Sequence, residues 1–263
     1  MKYDSRQQGL ESVLALNLAL HGARDKPLTP QQSQKNIEDN VVRICQIEDV
    51  SVVDENGKGT MTISNSASGL QITTDGFIIT AAHVIEDWIA NFDGGHDQKY
   101  AVLKVNNNGD VERISVDTSF YIYNQTYDVA LIKIIGTSPP RPILFNLKEE
   151  TRDAYLSGKK VAQLTRNNSS LSLAASIGQI LNPGTSPIVR SENGLYRQKL
   201  DCFGTTIRAE PGDSGSPIIG ENGALLGITV SSANGKDATC AKIGYAIDLA
   251  RKTIYSATRR LFH

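Results

Sequence analysis

The sequence predicts an all-β protein with a helix near each end. Three observations support this fold class. From about residue 38, short runs of β-branched and aromatic residues alternate with clusters of Gly, Asn and Asp. About a dozen of these runs follow one another, a pattern typical of β-sandwiches and β-barrels. The length of 263 residues is sufficient for one domain that contains two β-barrels.

The N-terminal segment predicts a helix followed by a linker. Four apolar residues fall on one helical face: Leu10, Val13, Leu14 and Leu18. Residues 10–20 also resemble the core of a signal peptide, but Glu11 and Asn17 interrupt that core. We therefore expect a cytoplasmic protein, or one that is exported without a classical signal peptide. Residues 21–36 are polar and contain two prolines, which indicates a linker.

The predicted strands follow this linker as short apolar segments separated by turn residues. They lie at residues 41–47, 59–63, 70–73, 77–80, 100–105, 111–116, 129–135, 160–164, 175–180, 204–207, 217–219, 224–230 and 242–247. The pair Asn222-Gly223 lies between two of these segments and predicts a tight hairpin.

Composition breaks suggest how these strands are grouped. Residues 136–141 contain two adjacent prolines and indicate a seam between two barrels. We predict an N-terminal helix and linker at 1–37, a first barrel at 38–137, and a second barrel with a C-terminal helix at 138–263. The helix is expected from about Asp248, because four apolar residues form one stripe: Leu249, Ile254, Ala257 and Leu261.

Charge and cysteine content limit the expected partners. The net charge of -1 gives no long-range attraction for nucleic acid, and no run of about 18 apolar residues predicts a membrane span. The three cysteines are too few for a disulfide framework. They predict either three reduced thiols, or one Cys202–Cys240 disulfide with Cys45 free. No spacing typical of a metal site occurs, so we expect neither a metal nor a cofactor.

The candidate nucleophile lies in the segment Gly212-Asp213-Ser214-Gly215-Ser216-Pro217. A serine hydroxyl is a weak nucleophile at neutral pH and needs a neighbouring base, which itself needs an orienting partner. The glycines on either side of Ser214 allow a tight turn. Such a turn can point the N–H groups of Gly212 and Ser214 at one site, where they would form an oxyanion hole.

The base and the orienting carboxylate are predicted upstream of this segment. Of the four histidines, only His83 follows a strand-like run, residues 77–80, that can hold its side chain rigidly. Asp128 opens the apolar run at residues 129–134. A carboxylate beside a buried strand is costly unless it is paired. His83 is the predicted partner, so the candidate catalytic residues are His83, Asp128 and Ser214.

These segments resemble the chymotrypsin- and trypsin-like serine proteases. The order His83, Asp128, Ser214 is that of the family, whereas an α/β-hydrolase places the serine first and subtilisin places the aspartate first. The resemblance covers about residues 38–250 and is closest to the bacterial trypsin-like, HtrA-like branch. The other segments that carry it are residues 70–80, 223–228 and 243–247. It implies two six-stranded antiparallel β-barrels with the site in the cleft between them.

The resemblance also implies an activity, namely a serine endopeptidase that cleaves protein or peptide substrates through an acyl-enzyme. Two alternatives stay open. One is a protease-like interaction module whose site is inactive or latent, and the other is an esterase-like hydrolase on the same fold. HtrA proteins continue into PDZ domains, whereas this sequence, which stops at His263, is expected to lack one. The pattern indicates no particular oligomeric state.

Asp213 departs from the pattern of the HtrA-like branch, in which the residue before the serine is usually Asn. In trypsin zymogens the matching aspartate pairs with a newly cleaved N-terminus. Residues 30–50 contain no start of the type Ile-Val-Gly-Gly. We therefore expect Asp213 to pair with an internal cation or hydrogen-bond donor, and the protein to need no N-terminal cleavage.

The resemblance places a specificity pocket between two segments of the second barrel. The wall is expected at residues 208–210, with residues 229–232 opposite and Gly244 near the floor. The strand around Thr229, Val230 and Ser231 is expected to pair with the backbone of an extended substrate. Arg208 either favours an acidic substrate side chain or points to solvent.

Overall fold

The computed structural model describes residues 28–51, 60–86, 100–105, 109–135, 143, 157–166, 171–185, 188–190, 196–198, 201–233 and 237–261. The predicted N-terminal helix, the segment similar to a signal peptide and the predicted seam at residues 136–141 lie outside the described residues.

Six strands form the first barrel. They are β1 (Val41–Ser51), β2 (Thr60–Gln71), β3 (Phe77–Thr80), β4 (Tyr100–Val105), β5 (Val111–Asn124) and β6 (Val129–Ile134). Their order around the closed barrel is β1-β2-β3-β6-β5-β4, and every neighbouring pair is antiparallel. Since alternate residues of a strand point to the same side, Val42 and Ile44 of β1 face inward and pack with Ile78 and Ile132.

The second barrel also has six strands. The eight strands that follow β6 are β7 (Lys160–Thr165), β8 (Ala174–Thr185), β9 (Ile188–Arg190), β10 (Tyr196–Gln198), β11 (Cys202–Arg208), β12 (Pro217–Gly220), β13 (Leu225–Ala233) and β14 (Asp237–Lys242). The barrel closes in the antiparallel order β11-β14-β13-β12-β7-β8, while β9 and β10 form a separate ribbon. The prediction of two six-stranded antiparallel barrels is confirmed.

A helix, α1 (Pro30–Asn40), precedes the first barrel. The prediction of a linker is therefore wrong from residue 30 onward. Thr29 caps the helix, because its hydroxyl accepts a hydrogen bond from the Gln32 N–H at 3.2 Å, and the Gln32 side chain accepts one from the Thr29 N–H at 3.0 Å. This capping box, with Pro30 at the first helical position, is a helix-start signal that outweighs the polar composition.

Helix α1 is attached to the second barrel. The Ser33 hydroxyl donates a hydrogen bond to the Gly223 carbonyl at 2.7 Å. Gly223 lies in the turn between β12 and β13, so the hairpin predicted from Asn222-Gly223 is confirmed. Arg166, which follows β7, donates to the carbonyls of Val41 at 3.0 Å and Glu38 at 3.2 Å. These bonds connect the end of α1 and the start of β1 to the second barrel.

The C-terminal helix, α2 (Ile243–Leu261), begins earlier than predicted. The strand predicted at residues 242–247 is wrong, because β14 ends at Lys242 and α2 starts at the next residue. The alternating apolar residues of this segment imitate a strand, but the buried ones follow helical spacing: Ile243, Ala246, Leu249 and Ala250. None of the helices within the described ranges is both long and apolar enough to cross a membrane.

Strand β2 is longer than the sequence indicates. The segments at 59–63 and 70–73, predicted as separate strands, both overlap this single strand. Its middle contains small residues that hide the strand pattern, and they are buried there because other chain segments approach closely. A Cβ on Gly69 would lie 2.7 Å from Cγ2 of Ile78. No predicted strand covers β9, β10 or most of β14.

The three cysteines are buried, and none of them forms a disulfide with another described residue. Cys202 and Cys240 lie on the adjacent strands β11 and β14, but Cys240 is opposite Phe203, one residue away from Cys202. Because neighbouring residues of a strand point to opposite faces, the two thiols belong to different core clusters and form no disulfide. Burial raises the pKa of the Cys45 thiol to about 11 and also raises the pKa of Cys240, so both stay protonated at neutral pH.

Candidate active site

The three predicted catalytic residues lie next to one another in the cleft between the barrels. Nε2 of His83 is 2.8 Å from the Ser214 hydroxyl oxygen, and Nδ1 of His83 is 3.0 Å from Oδ2 of Asp128. With the proton on Nδ1, the ring donates to Asp128 and accepts from Ser214. The side chain of His83 is 41% exposed and that of Asp128 is 0% exposed. The imidazole is therefore accessible from the cleft, while the carboxylate is shielded from water.

His83 is held by its backbone as well as by its ring. It lies in a short helical turn, residues 82–86, that follows β3. The N–H of His83 donates to Oδ1 of Asp128 at 2.9 Å, and the N–H of Ala82 donates to the Asp128 carbonyl at 3.2 Å. One aspartate thus binds both the imidazole ring and the turn that carries it, which restricts the position and orientation of the ring.

Asp128 has an unusual backbone conformation. It ends the turn at residues 125–128, between β5 and β6, with a φ of 56°. The left-handed region is uncommon for residues other than glycine, although Asp tolerates it better than most. Asn124 stabilises the turn, because its side-chain oxygen accepts hydrogen bonds from the N–H groups of Thr126 at 3.0 Å and Tyr127 at 3.3 Å.

The loop that carries Ser214 depends on glycine. Gly212 and Gly215 have φ values of 95° and 85°. A Cβ on Gly215 would lie 2.0 Å from the carbonyl oxygen of Ser68, a residue of β2 in the first barrel. The N–H of Ser68 donates to the Ser214 carbonyl at 2.7 Å, and its hydroxyl donates to the Gly212 carbonyl at 3.1 Å. Ser68 therefore fixes the Ser214 loop against the first barrel.

Two N–H groups in this loop are left available. Those of Asp213, Gly215 and Ser216 donate to carbonyls at 2.7–3.0 Å. In contrast, no described residue accepts a hydrogen bond from the N–H of Gly212 or Ser214. These are the two donors that the sequence predicts for an oxyanion hole. They can stabilise negative charge that develops on a substrate oxygen beside Ser214.

Asp213 has an internal hydrogen-bond donor. Its side chain is mostly buried, and Oδ2 accepts a hydrogen bond from the Glu210 N–H at 2.9 Å. Burial raises the pKa of the Asp213 carboxyl, and the bond from Glu210 opposes that rise only in part. The expected internal partner of Asp213 is thus a backbone donor that closes the turn leading to Ser214.

A cavity of about 340 Å³ opens beside Ser214. Its lining residues are Arg208, Ala209, Glu210, Pro211, Ser214, Thr229, Ser231 and Ser232. Among the predicted pocket residues, Val230 instead points into the core, where it is 1% exposed. Gly244, predicted near the floor, lies in the first turn of α2 and is not among the described lining residues.

The sequence did not reveal two contributors to this region. Pro211, which lies just outside the predicted wall at residues 208–210, also lines the cavity. Ser68 contacts the Ser214 loop through Gly212, which lies 144 residues away in the sequence, and no motif marks Ser68. Within the described ranges, no group of three or more His, Cys, Asp or Glu side chains is arranged to hold a metal ion.

A family model described as Trypsin matches residues 49–254. Because this match spans most of the chain, the chain belongs to the trypsin family of chymotrypsin-like serine proteases. The family resemblance seen in the sequence is thereby confirmed. A comparison with curated protein sequences finds no match.

Solved protease structures share the fold. The Rv3671c protease from M. tuberculosis, in its active form, is 18% identical with a TM-score of 0.55, and the match covers 83% of this chain and 82% of that chain. The MamO protease domain from Magnetospirillum magneticum, in its apo form, is 15% identical with a TM-score of 0.54, covering 81% and 96%. Deg5 is 18% identical with a TM-score of 0.58, covering 85% and 95%. At sequence identities of 15–18%, these similarities show a shared fold alone.

Proposed function

We propose that this protein is a serine endopeptidase that cleaves peptide bonds through an acyl-enzyme on Ser214. The observation that carries this proposal is the continuous hydrogen-bond chain from Ser214 through His83 to the buried Asp128, with distances of 2.8 and 3.0 Å. These distances are within the range required for a general base that accepts the proton of a nucleophile.

Each residue has a role in the proposed reaction. The Ser214 oxygen attacks the substrate carbonyl carbon while Nε2 of His83 takes the hydroxyl proton. Asp128 accepts the hydrogen bond from Nδ1 and stabilises the imidazolium ion. The N–H groups of Gly212 and Ser214 stabilise the oxyanion, and His83 then protonates the leaving amine. Water, activated by the same histidine, releases the acyl group.

The substrate backbone would lie along β13. The pairing of β12 with β13 begins at Pro217 and Ile228, so residues 231–233 pair only with β14 among the described strands. An extended peptide can use that open edge as one more antiparallel partner. Val230, whose side chain is in the core, would contribute backbone groups alone, and Ser231 would lie beside the cavity.

Activation by N-terminal cleavage is not part of this proposal. The Glu210 N–H already binds Asp213, the residue that a new N-terminus would otherwise pair with. The N–H groups of Gly212 and Ser214 also lack a described acceptor, as an oxyanion hole requires. We expect the chain with its N-terminus intact to react with an active-site probe, as judged by the intact mass of the labelled protein.

The first test is covalent labelling with a fluorophosphonate probe, which reacts with activated serines. Wild type should be labelled, whereas Ser214→Ala and His83→Ala should not. Ser216→Ala is the matched control, because Ser216 is in the same loop but fully buried, and it should keep labelling. Circular dichroism would establish that each variant folds. A folded wild type that stays unlabelled would contradict the proposal and favour a latent or inactive interaction module.

Labelling does not separate a protease from an esterase on the same fold. Turnover of matched peptide and ester substrates does so. We expect cleavage of both, with peptide cleavage lost in Ser214→Ala. An enzyme that is labelled and hydrolyses only esters would exclude the endopeptidase.

A further inference from the structure

The turn that carries Asp128 is contacted from outside its own barrel. Tyr127, the residue before Asp128, stacks on Tyr245 with ring centroids 3.6 Å apart and an interplanar angle of 6°. Tyr245 lies in the first turn of α2, directly after the last strand of the second barrel. The stack therefore joins the Asp128 turn of the first barrel to the part of the chain that carries Ser214.

Tyr245 is itself held in place. Its hydroxyl donates a short hydrogen bond to Oδ2 of Asp201, and Lys242 donates to Oδ1 of the same carboxylate at 2.6 Å. Burial raises the pKa of Asp201, but the bonds from Lys242 and Tyr245 outweigh this effect and lower the pKa below its ordinary value. The carboxylate is thus charged at neutral pH, when it binds Tyr245 most strongly.

The Asp128 turn needs such support. Asp128 has a left-handed backbone, which is unfavourable for a residue with a side chain, yet it must point both carboxylate oxygens at His83. Within the turn, the Tyr127 N–H has only a 3.3 Å bond to Asn124. The ring of Tyr127 ties this turn to α2 and hence to the second barrel.

We propose that Tyr127, Tyr245 and Asp201, here called the tyrosine clasp, are positioning residues for catalysis. They hold Asp128 in the position in which it orients His83 toward Ser214, and so couple the two barrels at the catalytic centre. The clasp touches neither the reacting atoms nor the described lining of the cavity. This proposal rests on the proposed function, because positioning residues affect catalysis only if His83 acts as a base.

The chain offers a graded set of variants. Tyr245→Leu removes the stack and the hydroxyl, Tyr245→Phe removes the hydroxyl alone, and Asp201→Asn weakens the anchor. Tyr121→Leu is the matched control, because Tyr121 belongs to a looser tyrosine pair on β5, with centroids 6.4 Å apart, and is 40% exposed.

Steady-state kinetics on a peptide substrate should separate positioning from stability. We expect Tyr245→Leu to lower kcat by about 10- to 100-fold with KM nearly unchanged, because a small displacement of a catalytic group has effects of this size. Tyr245→Phe and Asp201→Asn should show smaller losses of kcat. Tyr121→Leu, which lies outside the clasp, should match wild type. A Tyr245→Leu enzyme that melts earlier but keeps its kcat and its pH profile would overturn the proposal.

A second measurement needs no turnover and so separates failure of the clasp from failure of the protease. The pKa of His83 can be followed by NMR in the Ser214→Ala background, with and without Tyr245→Phe or Tyr245→Leu. A nearby carboxylate favours the charged imidazolium, so displacement of Asp128 should lower the pKa of His83. An unchanged pKa in both folded variants would refute the clasp, whether or not the wild type cleaves peptides.

Discussion

The loop of Ser214 and the turn of Asp128 both require left-handed backbone, but they achieve it in different ways. In the loop, Gly212 and Gly215 adopt positive φ without steric cost. In the turn, Asp128 itself adopts a φ of 56°, because the same residue must supply the carboxylate for His83. In the Ser214 loop, the glycines supply the left-handed backbone and a different residue supplies the functional group. In the Asp128 turn, one residue supplies both, so contacts from neighbouring residues must stabilise its strained backbone.

The largest expected effect tests whether Asp128 is present for its carboxylate. Asn tolerates left-handed backbone and fits the same space, so Asp128→Asn should fold. It should nevertheless lower kcat by on the order of 10⁴-fold, because an amide favours the wrong tautomer of the histidine. Steady-state kinetics with a peptide substrate would measure this loss of kcat. A loss below about 10-fold would mean that the turn matters for its shape alone.

The next effect tests the steric role of glycine in the Ser214 loop. Gly215→Ala combines a strained φ with a Cβ 2.0 Å from the Ser68 carbonyl, so we expect a loss of unfolding free energy of about 3 kcal/mol or more. Gly158→Ala is the matched control, because Gly158 has a φ of 83° but nothing within 4 Å of its would-be Cβ. It should lose only about 1 kcal/mol. Urea denaturation would measure both losses. Equal losses would show that the close approach to the Ser68 carbonyl does not contribute to the effect.

A smaller effect concerns the cavity beside the loop. Arg208 lines this cavity, and no described carboxylate forms an ion pair with it. We expect a preference for acidic side chains before the cleaved bond, and Arg208→Gln should reduce that preference by about 10-fold. Glu210→Gln, which removes the opposite charge from the same lining, should increase it. A peptide library profiled with the three proteins would test this, and an Arg208→Gln profile identical to wild type would place Arg208 in solvent.

The smallest effect concerns Asp213, a second buried carboxyl near the site. Burial raises the pKa of Asp213 in the folded protein above its ordinary value of 3.8, so the unfolded chain loses this proton first as pH rises. Stability from this group is therefore greatest below pH 3.8 and falls as pH rises through the folded pKa. Asp213→Asn should be at least as stable as wild type at neutral pH, with the difference disappearing in acid. Urea denaturation across this pH range would show a constant difference if burial had no effect.

Local patterns made much of this protein predictable. The segment around Ser214, the strand before His83 and the apolar run after Asp128 predicted three residues that the fold brings within hydrogen-bond distance. These residues could be recognised because each lies in a distinctive local sequence. Glycines flank Ser214, a strand-like run precedes His83 and an apolar run follows Asp128. The barrel strands were predictable where alternation was strong, as in β3 and β4, and were missed where small buried residues interrupt it, as in β2.

What the sequence determined by itself is therefore the chemistry of the site and the strands that carry it, because both depend on residues close together in the chain. Only the tertiary structure decided which distant residues support that chemistry. Ser68 binds the Ser214 loop, Tyr245 stacks on Tyr127 beside Asp128, and α2 begins where alternation predicts a strand. These outcomes depend on packing between barrels, and a contact made across more than a hundred residues leaves no periodicity or local signal in the sequence.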